Sequence, residues 1–135
     1  MRESVQQQKL IAYLVKNVPG TIAIYRFGSQ VRGTTHPGSD MDLAILAHRS
    51  LPPGQRFDLA QDLAVLVKQD VDLVDLRSTS TVMRMQVVST GECIHGADEP
   101  ERRRFEMLVY SDYARLNEER RDILRQIRER GRVYG

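Results

Sequence analysis

A strand-like run, T-I-A-I-Y-R-F over residues 21–27, stops abruptly at Gly28-Ser29, and ten residues further on Asp40-Met41-Asp42 feeds a second run, Leu43-Ala44-Ile45-Leu46. No other stretch restricts the chain as much. Two carboxylates separated by one residue at the head of a strand point to the same face, because side chains alternate with period two. Like charges set side by side repel. A divalent cation removes that repulsion, and an all-oxygen ligand set suits Mg²⁺ or Mn²⁺. Gly28 allows close backbone approach, and Ser29 offers a hydroxyl and an N–H. Together they suit an anion such as a phosphate at the start of the following turn.

A third run, Asp70-Val71-Asp72-Leu73-Val74-Asp75-Leu76, reads as a strand with Asp70 and Asp72 on one face and Asp75 on the other. A carboxylate within an apolar strand is costly to bury unpaired. If this strand lies beside the 41–47 strand, Asp72 joins Asp40 and Asp42 around one or two cations. Such a site stabilises the attacking and leaving oxygens of an in-line phosphoryl displacement. Asp70 and Asp75 compete for the same role, but Asp70 sits at the strand start, where a solvated carboxylate is expected, and Asp75 faces away. The plainer reading of the three is a capping aspartate, a turn aspartate and a salt-bridged strand residue.

Around this centre the pattern is that of one α+β domain over residues 1–135, with a small mixed sheet of three to four strands flanked by helices. Val5, Leu10, Ile11, Leu14, Val15 and Val18 recur at helical spacing and predict a helix over 4–17, stopped near Pro19-Gly20. Phe57, Leu59, Ala60, Leu63, Ala64 and Val67 trace a second helix after Pro52-Pro53-Gly54. Ser78–Thr81 supplies a cap for a helix over 82–88 that ends at Gly91, and Cys93-Ile94 adds a short edge strand. Phe105, Val109, Tyr113, Leu116, Ile123 and Ile127 form a stripe on a long terminal helix, spanning 99–131 and stopped by Gly131. The segment 33–39, with two glycines, a proline and three hydroxyl residues, reads as an exposed loop.

Several other chemistries are excluded. Ser29 is not in a G-x-S-x-G context, so phosphate contact suits it better than covalent nucleophilic attack. Residues 33–39 match the opening of a P-loop, but Ser39 stands where the lysine must be. No G-x-G-x-x-G exists. His36, His48 and His95 are too scattered for zinc, and His36 reads as a solvated loop residue. Arg32, one turn beyond Ser29, reaches toward a triphosphate or is simply an exposed arginine. Cys93 is the single cysteine, which rules out an internal disulfide, fits a reducing cytoplasm and suits a small buried group. No apolar run approaches membrane-spanning length.

Gly28-Ser29, a ten-residue interval and Asp40-x-Asp42 resemble the signature of the nucleotidyltransferase superfamily related to DNA polymerase β. The short length is similar to that of its minimal members, many of which are antitoxins paired with HEPN-domain ribonuclease toxins. The resemblance implies that Asp40 and Asp42 form the metal-binding pair. Asp72 then looks like the third carboxylate, which helps deprotonate the attacking hydroxyl. Gly28, Ser29, Arg32 and Ser39 would bind nucleotide. It further implies ATP as donor, Mg²⁺ or Mn²⁺ as cofactor, and a tyrosine of a partner HEPN ribonuclease as acceptor, silenced by one or several AMP units. Masking of the toxin without catalysis, and modification of a small molecule such as an antibiotic, are the alternatives. A separate acceptor domain would be needed for the latter, and 135 residues leave little room for one.

Ten of the twenty basic residues lie between Arg102 and Arg132, all arginine, while the net charge of +2 is too small to argue for direct nucleic-acid binding. Alternating signs such as Glu118-Glu119-Arg120-Arg121-Asp122 make a solvated, ion-paired face. Yet about 30 helical residues span roughly 45 Å, more than the diameter of so small a domain. Part of this helix is therefore expected to project or to dock on another chain, with arginine and tyrosine as contact residues.

Overall fold

The computed structural model describes residues 2–28 and 40–134, with side chains described over 5–28 and 40–131. The chain order is α1 (Arg2–Asn17), β1 (Thr21–Phe27), β2 (Met41–Ala47), α2 (Pro53–Val67), β3 (Val71–Asp75), α3 (Thr81–Thr90), β4 (Glu92–Gly96) and α4 (Glu99–Tyr134). The strands form one mixed sheet in the order β3-β2-β1-β4. β1 pairs antiparallel with both β2 and β4, whereas β2 and β3 run parallel. Parallel neighbours need a crossover, and α2 supplies it.

β2 is apolar along nearly its whole length because it is central and covered on both faces. Met41, Leu43 and Ile45 point to one side, where they meet Leu10 and Leu14 of α1 and Leu59 and Leu63 of α2. Ala44 and Leu46 point to the other, with Tyr25 and Phe27 of β1, Val87 of α3, and Phe105 and Val109 of α4. α3 starts as its sequence predicts, for the Ser80 side chain accepts the Met83 N–H.

α4 behaves as two helices joined end to end. Its first third is seated through Phe105 and Val109, which are buried. The seat is reinforced by Tyr25, whose hydroxyl donates to Glu106 Oε2 at 2.6 Å, and by Arg102, which reaches Glu106 at 2.8 Å and Glu99 at 2.5 Å. Burial and the Glu106 carboxylate push the Tyr25 hydroxyl far above the usual phenol range, so it stays a donor. From Glu118 to Gly131 every residue is exposed, and Ile123 and Ile127, the last two members of the stripe, are 56% and 59% exposed. The helical spacing there is real, but no described part of the chain lies opposite it. Nor does the helix stop at Gly131; it continues to Tyr134. Gly131 has open space around it, and an exposed helical glycine costs only about 1 kcal/mol against alanine.

Candidate active site

The end of β1, the head of β2 and the head of β3 meet at one rim of the sheet. Phe27 pairs with Asp42 across the antiparallel ladder, and Asp42 pairs with Asp72 across the parallel one. Lateral neighbours in a sheet share a face and sit about 4.8 Å apart at the backbone. The two carboxylates therefore stand side by side, on the face that carries Ala44 and Val74.

Gly28 closes the group from the β1 side. It has φ +84°, a conformation other residues rarely adopt, and a Cβ placed there would lie 2.1 Å from Asp42 Oδ2. Glycine is required twice over, by the backbone and by the approaching carboxylate. Asp42 is half-buried, Asp40 and Asp72 are exposed. Burial, followed by the charges of Asp72 and Asp40, raises the Asp42 carboxyl above its ordinary range.

The donors here are hard oxygens whose like charges disfavour one another, at an open rim, and such a set suits a divalent cation. Among the described residues, no three His, Cys, Asp or Glu side chains are drawn in tightly enough to hold an ion in their present positions. The register nevertheless puts Asp42 and Asp72 in adjacent positions, and Asp40 acts on Asp42 electrostatically.

The two competing aspartates are accounted for. Asp70 is exposed and uses its backbone carbonyl to accept the Met41 N–H, opening the parallel ladder. Asp75 is 3% exposed, on the α1/α2 side, where its carboxylate accepts from Leu51 N–H at 2.7 Å, Arg77 N–H at 3.0 Å and Ser78 Oγ at 3.1 Å. It braces the turns after β2 and β3 and does not face the rim. Ser29, Arg32, His36 and Ser39 lie outside the described residues. Cys93 is half-buried beside the second core cluster, and burial raises its thiol, which suits a packing role.

One neighbour of the rim escaped the reading of the sequence. Arg56, in the first turn of α2, donates from Nη1 to the Leu73 carbonyl at 3.1 Å, on the outer edge of β3. A lone arginine after Pro-Pro-Gly carries no motif. Its position follows only from α2 crossing over β3.

A four-stranded mixed sheet with this rim of aspartates is the nucleotidyltransferase arrangement, and the chain belongs to the family described as polymerase beta, nucleotidyltransferase, whose pattern matches residues 8–100. Among individual relatives, the protein adenylyltransferase MntA of Shewanella oneidensis is 41% identical over 122 residues, which cover 90% of this chain and 87% of that protein. A crystal structure of a toxin–antitoxin with AMP-PNP contains a chain 41% identical, with a TM-score of 0.82, covering 90% of this chain and 97% of that one. A structure of the tri-AMPylated Shewanella oneidensis HEPN toxin in complex with its MNT antitoxin aligns at 37% identity and a TM-score of 0.78, covering 92% and 97%.

Proposed function

We propose that this protein is a metal-dependent protein adenylyltransferase that acts as an antitoxin, moving AMP from ATP to a tyrosine of a cognate HEPN ribonuclease and so silencing it. The observation that carries this reading is the lateral pairing of Asp42 with Asp72 across β2 and β3, with Gly28 just past the end of β1 and pressed against the Asp42 carboxylate, in a chain so similar to an adenylyltransferase. A pure masking antitoxin has no use for a glycine that gives way to a carboxylate, or for paired aspartates whose charges oppose each other.

The roles of the described residues rest on position, and those of Ser29, Arg32 and Ser39 on the family resemblance of the sequence. Asp40, Asp42 and Asp72 would hold Mg²⁺ or Mn²⁺. When bound, the cation would neutralise the carboxylates and polarise the phosphoryl oxygens. Gly28 leaves room for the phosphates, with Ser29, Arg32 and Ser39 as further nucleotide contacts. Asp72, the outermost and exposed carboxylate, receives the proton of the acceptor hydroxyl. The hydroxyl oxygen attacks the α-phosphorus of ATP, the bond to the pyrophosphate oxygen breaks, and pyrophosphate leaves.

Residues 99–131 of α4 serve as the docking helix within a single domain of 1–135, the exposed Ile123, Leu124 and Ile127 contributing apolar contacts and the arginines a charged rim. Proximity of the docked toxin then replaces a dedicated acceptor domain. No described helix is long and apolar enough to cross a membrane, and the cytoplasm, where ATP and the toxin's RNA targets coexist, is the compartment this activity requires.

The test incubates the cognate toxin with ATP, Mg²⁺ and this protein, then reads intact mass and ribonuclease activity after separation. AMP-sized additions on a toxin tyrosine with loss of ribonuclease activity are expected. An Asp40→Asn/Asp42→Asn variant should add none; if it protects cells as fully as wild type at matched low expression, masking by binding explains the protection.

A further inference from the structure

Beyond Asp72 the sheet ends, and a concavity opens along the outer edge of β3, lined by Arg56, Asp72, Val74, Ser78 and Thr79 among others. Its chemistry is not that of the carboxylate rim. Arg56 spends only Nη1 on the Leu73 carbonyl, and its Nε and Nη2 have no hydrogen-bond partner among the described residues. The Thr79 hydroxyl is likewise without one among them. Asp75, the other acid in the wall, is already matched by its three donors, so it does not set this surface against an anion. A guanidinium with a free edge and a hydroxyl in the wall of one concavity are groups that suit a phosphate.

Direction decides what can sit there. Across the rim the order is Gly28, Asp42, Asp72 and then the concavity. In an in-line displacement the entering and leaving oxygens lie on opposite sides of phosphorus. With the phosphates of ATP at the Gly28 side, the acceptor enters from the β3 side. An unmodified tyrosine brings no anion to that side. A tyrosine already carrying AMP does, because its new acceptor is a ribose hydroxyl with a phosphodiester trailing behind it.

We propose that the concavity on the outer edge of β3 is a subsite for the AMP-bearing acceptor, with Arg56 and Thr79 holding the phosphodiester of the AMP just added. It rests on the adenylyltransferase reading above and deepens it, by assigning residues of this chain to the additions that follow the first, of the kind the tri-AMPylated toxin of the relative displays. In the second transfer the ribose hydroxyl oxygen bonds to the α-phosphorus of a new ATP, its proton passes to Asp72, and pyrophosphate departs.

Elongation and initiation separate in a mass ladder of the toxin followed over time. Wild type should show one, two and more AMP units. Arg56→Gln, checked for folding by circular dichroism, should add the first AMP within about twofold of the wild-type rate and the second about tenfold more slowly, the size expected for a lost charge-assisted contact. Arg56→Lys should recover part of the ladder, and Thr79→Val, which does not touch the Leu73 carbonyl, should slow elongation to a smaller degree. The proposal is overturned if Arg56→Gln and Thr79→Val give the wild-type ladder, or if they slow the first addition as much as the second. If Arg56→Gln does not fold, Thr79→Val decides. A wild-type protein that stops at one AMP also overturns the subsite while leaving AMP transfer standing; one that adds none overturns the transfer reading itself.

Discussion

The sheet rim and the free end of α4 are held in place in opposite ways. At the rim, each feature is fixed by several neighbours at once: Asp42 by two ladders, Gly28 by its positive φ and by the carboxylate against it. From Glu118 onward α4 is fixed by its own hydrogen bonds alone, with three-residue ion pairs such as Arg125–Asp122 decorating it. Exposed pairs of that kind contribute only about 0.3–0.5 kcal/mol each. Damage at the rim should therefore appear as lost chemistry or lost fold within this chain, whereas damage to the tip should be invisible until a partner is present.

The largest effect should come from Asp42→Asn, with transfer falling about a thousandfold or more, the scale of several kcal/mol of metal-derived stabilisation. Single-turnover AMP transfer measures it. Because folding raises the Asp42 carboxyl, the folded state favours its protonated form, and the wild type gives up that stability as pH rises through the raised value. In chelator, Asp42→Asn should thus match or exceed wild type in stability at neutral pH and lose that relative advantage on acidification. Urea titrations at several pH values would expose an opposite trend.

Next in size is a contrast within one strand. Asp75→Ala should cost about 3 kcal/mol, because it strands donors that are now paired. Asp72→Asn should leave the urea midpoint nearly unchanged and stop transfer. Equal loss of stability at both positions would erase the distinction between brace and catalyst.

Smaller still, Tyr25→Phe removes the donor to Glu106 and should cost about 1 kcal/mol in thermal or urea unfolding, since Arg102 continues to satisfy that carboxylate. Smallest is truncation after Asn117. Stability should change by less than about 0.5 kcal/mol, as expected for exposed surface, while co-purification with the toxin is lost. A large fall in melting temperature would show that the tip packs on the domain after all.

The same contrast explains what could be read from the sequence. β1 and β2 were legible to the residue, since alternation and the Gly28 and Asp40 boundaries are local signals. The pairing of Asp42 with Asp72 needed one tertiary assumption, that β3 lies next to β2, and period two did the rest. Ile123 and Ile127 show what periodicity leaves open: it tells which residues share a face, and only the excess length of the helix told that part of that face reaches beyond the domain. Arg56 was silent because its importance arises from a crossover that brings α2 over β3. Asp75 could be placed on the far face but not recognised as a hub, for its donors come from turns with no period.

A rod clamped at one end is also a lever. α4 is 36 residues long, about 54 Å, and its seat ends near Val109, which leaves an arm of roughly 33 Å to Gly131. A rotation of about 5° at the seat sweeps the tip through roughly 3 Å, and for a toxin docked there as proposed that would be the difference between a hydroxyl in line and out of line. Torque applied at the tip is felt first at the fulcrum, where Arg102, Glu106 and Tyr25 tie the helix to β1, three residues from Gly28. Under the proposed docking, aim would be a mechanical property of that joint.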